Sequence, residues 1–148
     1  MEVSFGVPAD LNAWMELVRR VRGNFPGLET EEALAEHRQT VLKFMLKKQA
    51  LCIKARGEIL GVLLFSRSRN MICCLAVAPE HRRRGAASAL LDAAMAELDS
   101  RRDVTVSTFR EGDPKGTAPR ALYVKFGFRP DALTEEFGYP NQVFVLRR

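Results

Sequence analysis

An unbroken apolar run at residues 59–65, Ile-Leu-Gly-Val-Leu-Leu-Phe, limits what this chain can fold into more than any other segment. Its length is that of a strand, and without polar residues at alternate positions neither face of that strand can meet water. Another run at 51–55 precedes it, and Arg56-Gly57 between the two predicts a hairpin. The hairpin therefore belongs to a sheet that is covered by helices on both faces.

The apolar patterns before and after this hairpin complete the fold. A strand at 2–6 precedes a helix capped by Asp10, and a second helix, capped by Thr30, ends near residue 48. Further strands are predicted at 71–77, 104–109, 133–137 and 142–146, with one helix after Gly85 and a short one from Pro119 to a left-handed cap at Gly127. This order predicts one α/β (α+β) domain over residues 1–148, with a mixed sheet rather than a doubly wound nucleotide-binding one.

Composition narrows the class of protein. With 148 residues, 47% of them apolar and 28% charged, the chain has the composition of a soluble globular domain, not of a disordered or fibrous one. The net charge of +5 favours an anionic partner, whether a nucleotide, a nucleic acid or an acidic surface. No apolar run approaches the roughly 20 residues needed to span a membrane, and no signal segment is recognisable, so we expect a cytoplasmic protein without membrane contacts.

The cysteines and histidines do not indicate a metal site or a disulfide framework. Cys52, Cys73 and Cys74 lack the spacing of either, and we expect all three to be buried, reduced thiols. His37 and His81 have no partner at zinc-ligand spacing and are expected at the surface. We therefore predict that the chain holds no metal.

A strand, a basic loop and an Ala-rich helix follow one another between residues 71 and 100. The loop reads Arg82-Arg83-Arg84-Gly85-Ala86-Ala87. A helix N-terminus exposes unpaired N–H groups and a partial positive charge, and small residues there let an anion approach the backbone. Three guanidinium groups can also reach phosphate oxygens from outside. The segment predicts a pyrophosphate site, although an isolated arginine triplet is more often a solvated helix entry.

Two segments of the sequence have the spacing of known motifs. The first is Leu-Ala-Val-Ala-Pro at 75–79, followed by Arg82, Gly85 and Ala87; the second is Ala-Leu-Tyr-Val-Lys-Phe-Gly-Phe at 121–128. Together they resemble the GNAT superfamily of acyl-CoA-dependent N-acetyltransferases, with its Gln/Arg-x-x-Gly-x-Gly/Ala loop and its Leu-Tyr-x-Lys-x-Gly-Phe helix. The resemblance implies a GNAT-like, mostly antiparallel sheet that splays beside its fourth strand. It also implies direct acetyl transfer from acetyl-CoA to a primary amine within a ternary complex.

The resemblance further implies a role for each matching residue. Backbone groups of Leu75, Ala76 and Val77 would pair with the acetyl and pantetheine arm, and amides of residues 82–87 would hold the pyrophosphate. Tyr123 would lie near the sulfur and protonate the departing thiolate, which a phenol of pKa about 10 can do at neutral pH. The amide of Leu75 would donate a hydrogen bond to the oxyanion of the tetrahedral intermediate.

The sequence lacks some of the residues that the family commonly uses around the acceptor amine and the cofactor thiol. An amine of pKa about 10.4 must lose a proton before it attacks, and the fourth strand, Met-Ile-Cys-Cys-Leu at 71–75, has no carboxylate to accept it. Glu16, Glu111, Glu135 and Glu136 are open candidates, because they lie in segments that line the acceptor side in the family. Gly116 stands where relatives commonly carry Asn.

Two other functions remain open. The missing carboxylate and the absent Asn are also consistent with a CoA-binding module with little or no catalytic activity. A pI near 9.4 and the arginine triplet are consistent with a nucleic-acid-binding protein. The nucleic-acid alternative is disfavoured, because the sequence has neither a helix-turn-helix pattern nor aromatic residues interleaved on a basic strand. We expect a small-molecule or peptide amine as acceptor, no nucleic-acid partner, and an apolar last strand that could pair in a homodimer.

Overall fold

The structure is a computed structural model that describes all residues from 1 to 148. The strands are β1 (Ser4–Phe5), β2 (Ala50–Ala55), β3 (Glu58–Ser66), β4 (Met71–Val77), β5 (Val104–Phe109), β6 (Arg129–Glu136) and β7 (Tyr139–Leu146). The α-helices are α1 (Leu11–Val21), α2 (Glu31–Leu46), α3 (Ala86–Glu97) and α4 (Thr117–Lys125). The predicted order of strands and helices is therefore confirmed. None of these helices has the length and apolar character that crossing a bilayer requires.

The seven strands form one sheet in the order β1-β2-β3-β4-β5-β7-β6. Neighbouring strands are antiparallel except β4 and β5, which are parallel because α3 carries the chain back across the sheet between them. This parallel seam consists of Met71 opposite Thr105 and Ile72 opposite Val106, and beyond it the two strands separate. The predicted mixed, mostly antiparallel sheet with a splay beside the fourth strand is confirmed.

Helices cover both faces of the sheet, as the apolar run in β3 predicts. Leu63 and Phe65 point into a core shared with α3 and α4, whereas Val62 and Leu64 point into a second core shared with α1 and α2. All four side chains are at most 2% exposed. Trp14 of α1 is fully buried in the second core. Strand β3 is therefore buried on both faces, and β4 is paired with it along one edge.

The predicted helix caps differ in outcome. Thr30 caps α2, since its Oγ1 accepts a hydrogen bond of 3.0 Å from the Ala33 N–H. Asp10 does not cap α1, because it already has helical backbone angles and its carboxylate turns back to the Val7 N–H at 2.9 Å. The Asp10 carboxylate also forms an ion pair with Lys54.

The C-terminal hairpin is longer than its apolar pattern predicts. Strand β6 begins at Arg129, not at 133, and β7 begins at Tyr139, so the turn is Phe137-Gly138. Pro130 is tolerated because β6 is an edge strand. The last strand, β7, lies between β5 and β6, so it has no free edge that could pair with a second copy of the chain, contrary to the expectation from its apolar sequence.

Candidate functional site

A cleft of about 860 Å³ opens where β4 and β5 separate. Its walls come from β4, β5, the N-terminus of α3, α4, the connection between α1 and α2, and the turn between β6 and β7. Nine of the ten predicted site residues line it: Leu75, Ala76, Val77, Arg82, Arg83, Gly85, Ala86, Ala87 and Tyr123. The tenth, Arg84, is exposed outside the cleft.

The edge of β4 presents unpaired backbone groups to this cleft. The Ala78 N–H donates to the Leu60 oxygen at 2.8 Å, which identifies the strand positions whose backbone groups are bonded to β3. Because such bonds alternate along an antiparallel pair, the N–H and C=O groups of Ala76 also face β3, and those of Leu75 and Val77 face away from it. Of the three residues predicted to pair with an acyl arm, Leu75 therefore offers its N–H and C=O to the cleft, and Val77 offers its N–H, because its carbonyl oxygen already accepts a hydrogen bond from Arg82 Nε.

A β-bulge at Cys73 accompanies the separation of the two strands. The register between β3 and β4 shifts from Leu64 opposite Cys74 to Phe65 opposite Ile72, which leaves Cys73 as the extra residue. A bulge bends its strand and increases the local twist, and the pairing of β4 with β5 ends at Ile72, the residue before the bulge.

The three cysteines do not share one environment. Cys52 is buried as predicted, but Cys73 is exposed and Cys74 is half-buried, because both lie on the wall of the cleft. The protein around the cleft still desolvates the two thiols, which raises the pKa of Cys73 to about 11 and that of Cys74 to about 12. Both are therefore protonated thiols at neutral pH.

The N-terminus of α3 supplies unpaired donors at one end of the cleft. Gly85 is the N-cap and has φ 86°, a left-handed conformation in which a side chain is strained. The first bond of the helix runs from the Ala89 N–H to the Gly85 oxygen at 2.9 Å, so the N–H groups of Ala86, Ala87 and Ser88 have no helical acceptor. Together with the helix dipole they form a site for an anion.

Two arginines extend this site. Arg82 and Arg83 line the cleft, and neither forms an ion pair with a carboxylate in the protein, so both guanidinium groups can meet a phosphate. The backbone N–H of Arg82 donates to the Pro79 oxygen at 3.4 Å and is therefore not free for a ligand. His81, which the sequence placed at the surface, is half-buried and also lines the cleft.

Tyr123 of α4 reaches the cleft from the opposite wall. Its side chain is 4% exposed and packs with the rings of Phe128 and Phe144, at centroid distances of 5.8 and 6.1 Å. The Tyr123 hydroxyl forms no hydrogen bond with another group of the protein, and the cleft leaves it accessible. Burial raises the pKa of Tyr123, and the nearby Cys74 raises it further, so the phenol remains a proton donor at neutral pH.

The other end of the cleft is formed by residues of which the sequence analysis singled out Glu136 alone. Asn24, Phe25 and Pro26 come from the connection between α1 and α2, and Glu136 and Phe137 come from the β6–β7 turn. Of the four candidate bases, Glu136 lines the cleft, whereas Glu16, Glu111 and Glu135 do not.

Gly116, the departure from the family pattern, is explained by packing. It is buried, and a Cβ atom there would lie 3.0 Å from the Cβ of Phe109 and 3.3 Å from the Phe109 oxygen. The structure therefore has no room for an asparagine side chain at this position unless β5 shifts.

Comparison with known proteins gives the same fold. A GNAT-family acetyltransferase from Bacillus cereus ATCC 10987 has a TM-score of 0.76 at 19% identity, over 99% of this chain and 96% of that one. The PaiA N-acetyltransferase from Thermoplasma acidophilum, in complex with coenzyme A, has a TM-score of 0.75 at 16% identity, over 99% and 98%. YncA from Salmonella typhimurium, with its cofactor acetyl-CoA, has a TM-score of 0.74 at 16% identity, over 99% and 92%. No curated protein sequence matches the chain.

The sequence profile of the GNAT acetyltransferase domain matches residues 47–130. This span is more than half of the chain, and it includes β4, the loop that enters α3, and Tyr123 of α4. The match, the shared fold and the splayed strand agree with one another. The chain belongs to the GNAT superfamily of N-acetyltransferases.

Proposed function

We propose that this protein transfers an acetyl group from acetyl-CoA to a primary amine, by direct attack within a ternary complex. The observation that carries the proposal is the convergence of three features in one cleft. These are the backbone groups of β4 that no neighbouring strand pairs, the unpaired donors at the start of α3, and the hydroxyl of the largely buried Tyr123, which faces the cleft. A protein that only bound an anion would need the second feature alone.

The residues present fit a CoA molecule. The N–H groups of Ala86 and Ala87 and the guanidinium groups of Arg82 and Arg83 would hold its pyrophosphate. The N–H and C=O of Leu75 and the N–H of Val77 would bind its extended arm in the manner of an added strand. Similar folds with coenzyme A and with acetyl-CoA support this assignment. When bound, acetyl-CoA supplies an acyl group on a thioester.

Two groups of the chain would act on the reacting atoms. The Leu75 N–H points into the gap beside β4 and would donate a hydrogen bond to the acyl oxygen as negative charge develops on it. The Tyr123 hydroxyl would give its proton to the departing thiolate, whose reference pKa is about 8.5. The raised pKa of Tyr123 keeps that proton on the phenol oxygen until the thiolate forms.

The proton of the attacking amine needs a separate acceptor. Strand β4 carries no carboxylate, and Glu136 is the one carboxylate among the residues that line the cleft. We assign to Glu136 the role of receiving this proton, through water where the distance requires it.

Calorimetry and a thiol-release assay test the proposal. We expect saturable binding of acetyl-CoA, and release of free thiol with at least one primary amine from a broad panel. Binding without thiol release across the panel would identify a CoA-binding module instead. If the folded protein bound DNA or RNA in a steeply salt-dependent manner and did not bind acetyl-CoA, the proposal would be overturned.

A further inference from the structure

The turn between β6 and β7 touches the connection between α1 and α2 at the mouth of the cleft. Phe137 at the tip of the turn has φ 52°, a conformation that an aromatic residue rarely adopts, and its side chain is 82% exposed. Its ring lies against Gly27, where an added Cβ atom would be only 2.6 Å from the ring. A strained backbone that holds an aromatic ring in water at a cleft mouth is an indication of a binding role.

The walls around this mouth are largely apolar. Phe25, Pro26 and Phe109 line the same end of the cleft as Phe137. The contact between Phe137 and Gly27 joins the two walls at the mouth of the cleft. An acceptor with one compact apolar group can lie against the exposed Phe137 ring and these neighbouring side chains.

The charges at this end of the cleft are few. Glu136, next to Phe137, forms no ion pair with a basic side chain. The nearby Lys115 is already occupied, because its Nζ donates to the Gly23 oxygen at 2.8 Å and lies 5.8 Å from the centroid of the Tyr139 ring. Glu29, another carboxylate at this mouth, does not line the cleft and accepts a hydrogen bond of 3.1 Å from the Gly27 N–H. The lining of the cleft therefore offers one free carboxylate, that of Glu136, together with aromatic rings and a lysine that disfavours additional positive charge.

We propose that the acceptor is a small monoamine attached to an aromatic or extended apolar group, bound with its ammonium near Glu136 and its apolar group against Phe137. The inference rests on the proposed function, since it names the substrate class of the same cleft. A carboxylate and aromatic faces attract an ammonium ion, and the apolar group leaves water for the rings. A polyamine would find one carboxylate for several charges, and an amino acid would bring its own carboxylate towards Glu136.

Binding of 2-phenylethylamine to the CoA-saturated protein tests the inference, with ethylamine, spermidine and L-phenylalanine as comparison ligands. We expect 2-phenylethylamine to bind at least about tenfold more tightly than each of the others. Phe137→Asn keeps a residue that tolerates the left-handed conformation but removes the ring, and should weaken 2-phenylethylamine about tenfold while leaving ethylamine unchanged. Leu133→Asn is the matched control, because Leu133 is an exposed apolar side chain of β6, the strand that leads into this turn, and lies outside the cleft.

The carboxylate is tested in the same way. Glu136→Gln should weaken every amine severalfold, and Glu135→Gln, its neighbour outside the cleft, should not. Tighter binding of spermidine or L-phenylalanine, an equal effect of Phe137→Asn on both monoamines, or no binding of any probe would overturn the inference. Thiol release measured on the same samples separates the two proposals. Tight binding of 2-phenylethylamine without thiol release supports the acceptor class and overturns acetyl transfer, whereas thiol release with a preferred polyamine does the reverse.

Discussion

The Nε atom of Arg82 donates a hydrogen bond of 3.3 Å to the carbonyl oxygen of Val77. This carbonyl faces away from β3 and would otherwise stand unpaired at the end of β4. One guanidinium group therefore fixes the strand to the loop that enters α3, and its remaining N–H groups are available to the cleft. Arg82 links the part of the site that would hold the acyl arm to the part that would hold phosphate.

Arg82→Ala should weaken acetyl-CoA binding by about tenfold to a hundredfold, because a hydrogen bond to a charged group contributes about 1.5–3 kcal/mol. Arg84→Ala removes the same charge from outside the cleft and should change the affinity less than about threefold. Calorimetry at one fixed salt concentration measures both. Equal losses in the two variants would mean that net charge, and not the position of Arg82, governs binding.

Tyr123→Phe removes only the hydroxyl from a residue whose ring is packed against Phe128 and Phe144. We expect kcat to fall about a hundredfold, in the range typical of general acid catalysis, with little change in acetyl-CoA affinity. Steady-state kinetics and calorimetry on the same preparation separate these two effects. An unchanged kcat would show that another group protonates the thiolate.

The pH dependence of stability gives an independent test of the environment of Tyr123. Burial raises the pKa of Tyr123 in the folded protein, so as the pH rises past about 10 the unfolded chain releases this proton and the folded protein retains it. Stability that is fully present below pH 10 is therefore lost above it. The loss should be about 1 kcal/mol at pH 10.5, and Tyr123→Phe should lack it. Urea unfolding of both proteins at pH 8 and pH 10.5 measures the difference.

Gly116→Ala should destabilise the protein by about 1–3 kcal/mol, because the new methyl group would press on Phe109 and on Arg120 Cδ at 3.2 Å. Gly23→Ala is the matched control, since an added Cβ there has nothing within 4 Å. Its effect should stay within about 0.5 kcal/mol. Denaturant unfolding compares the two, and a similar loss in both would contradict the packing explanation.

The sequence predicted the order of the elements and one end of the site because the signals there are local. Apolar alternation is set within each strand, and the left-handed turn at Gly85 depends on a residue type that is visible in the sequence. The prediction that the sheet splays beside β4 came from the family resemblance and not from a local pattern. The bulge that accompanies it is one extra residue, Cys73, within a continuous apolar run, and no pattern in that run indicates it.

The acceptor end could not be predicted because it is assembled by distant contacts that run against local preference. Phe137 occupies a turn position that normally favours glycine or asparagine, so the apolar pattern extends a predicted strand through it. The contact of Phe137 with Gly27 joins segments more than a hundred residues apart in the chain. The prediction that Asp10 caps α1 was wrong because its carboxylate binds other groups. It accepts a hydrogen bond from the Val7 N–H and forms an ion pair with Lys54, which is 44 residues away in the chain.

The sheet has four free strand edges, and they face different risks of aggregation. The two outer edges are hard for a foreign strand to join, because β1 is two residues long and β6 carries Pro130, Asp131 and Glu135. The two inner edges, on β4 and β5, line the same cleft and face each other across it. The unpaired backbone groups of the sheet are therefore concentrated where an extended ligand can lie between two strands, and not at the outer edges.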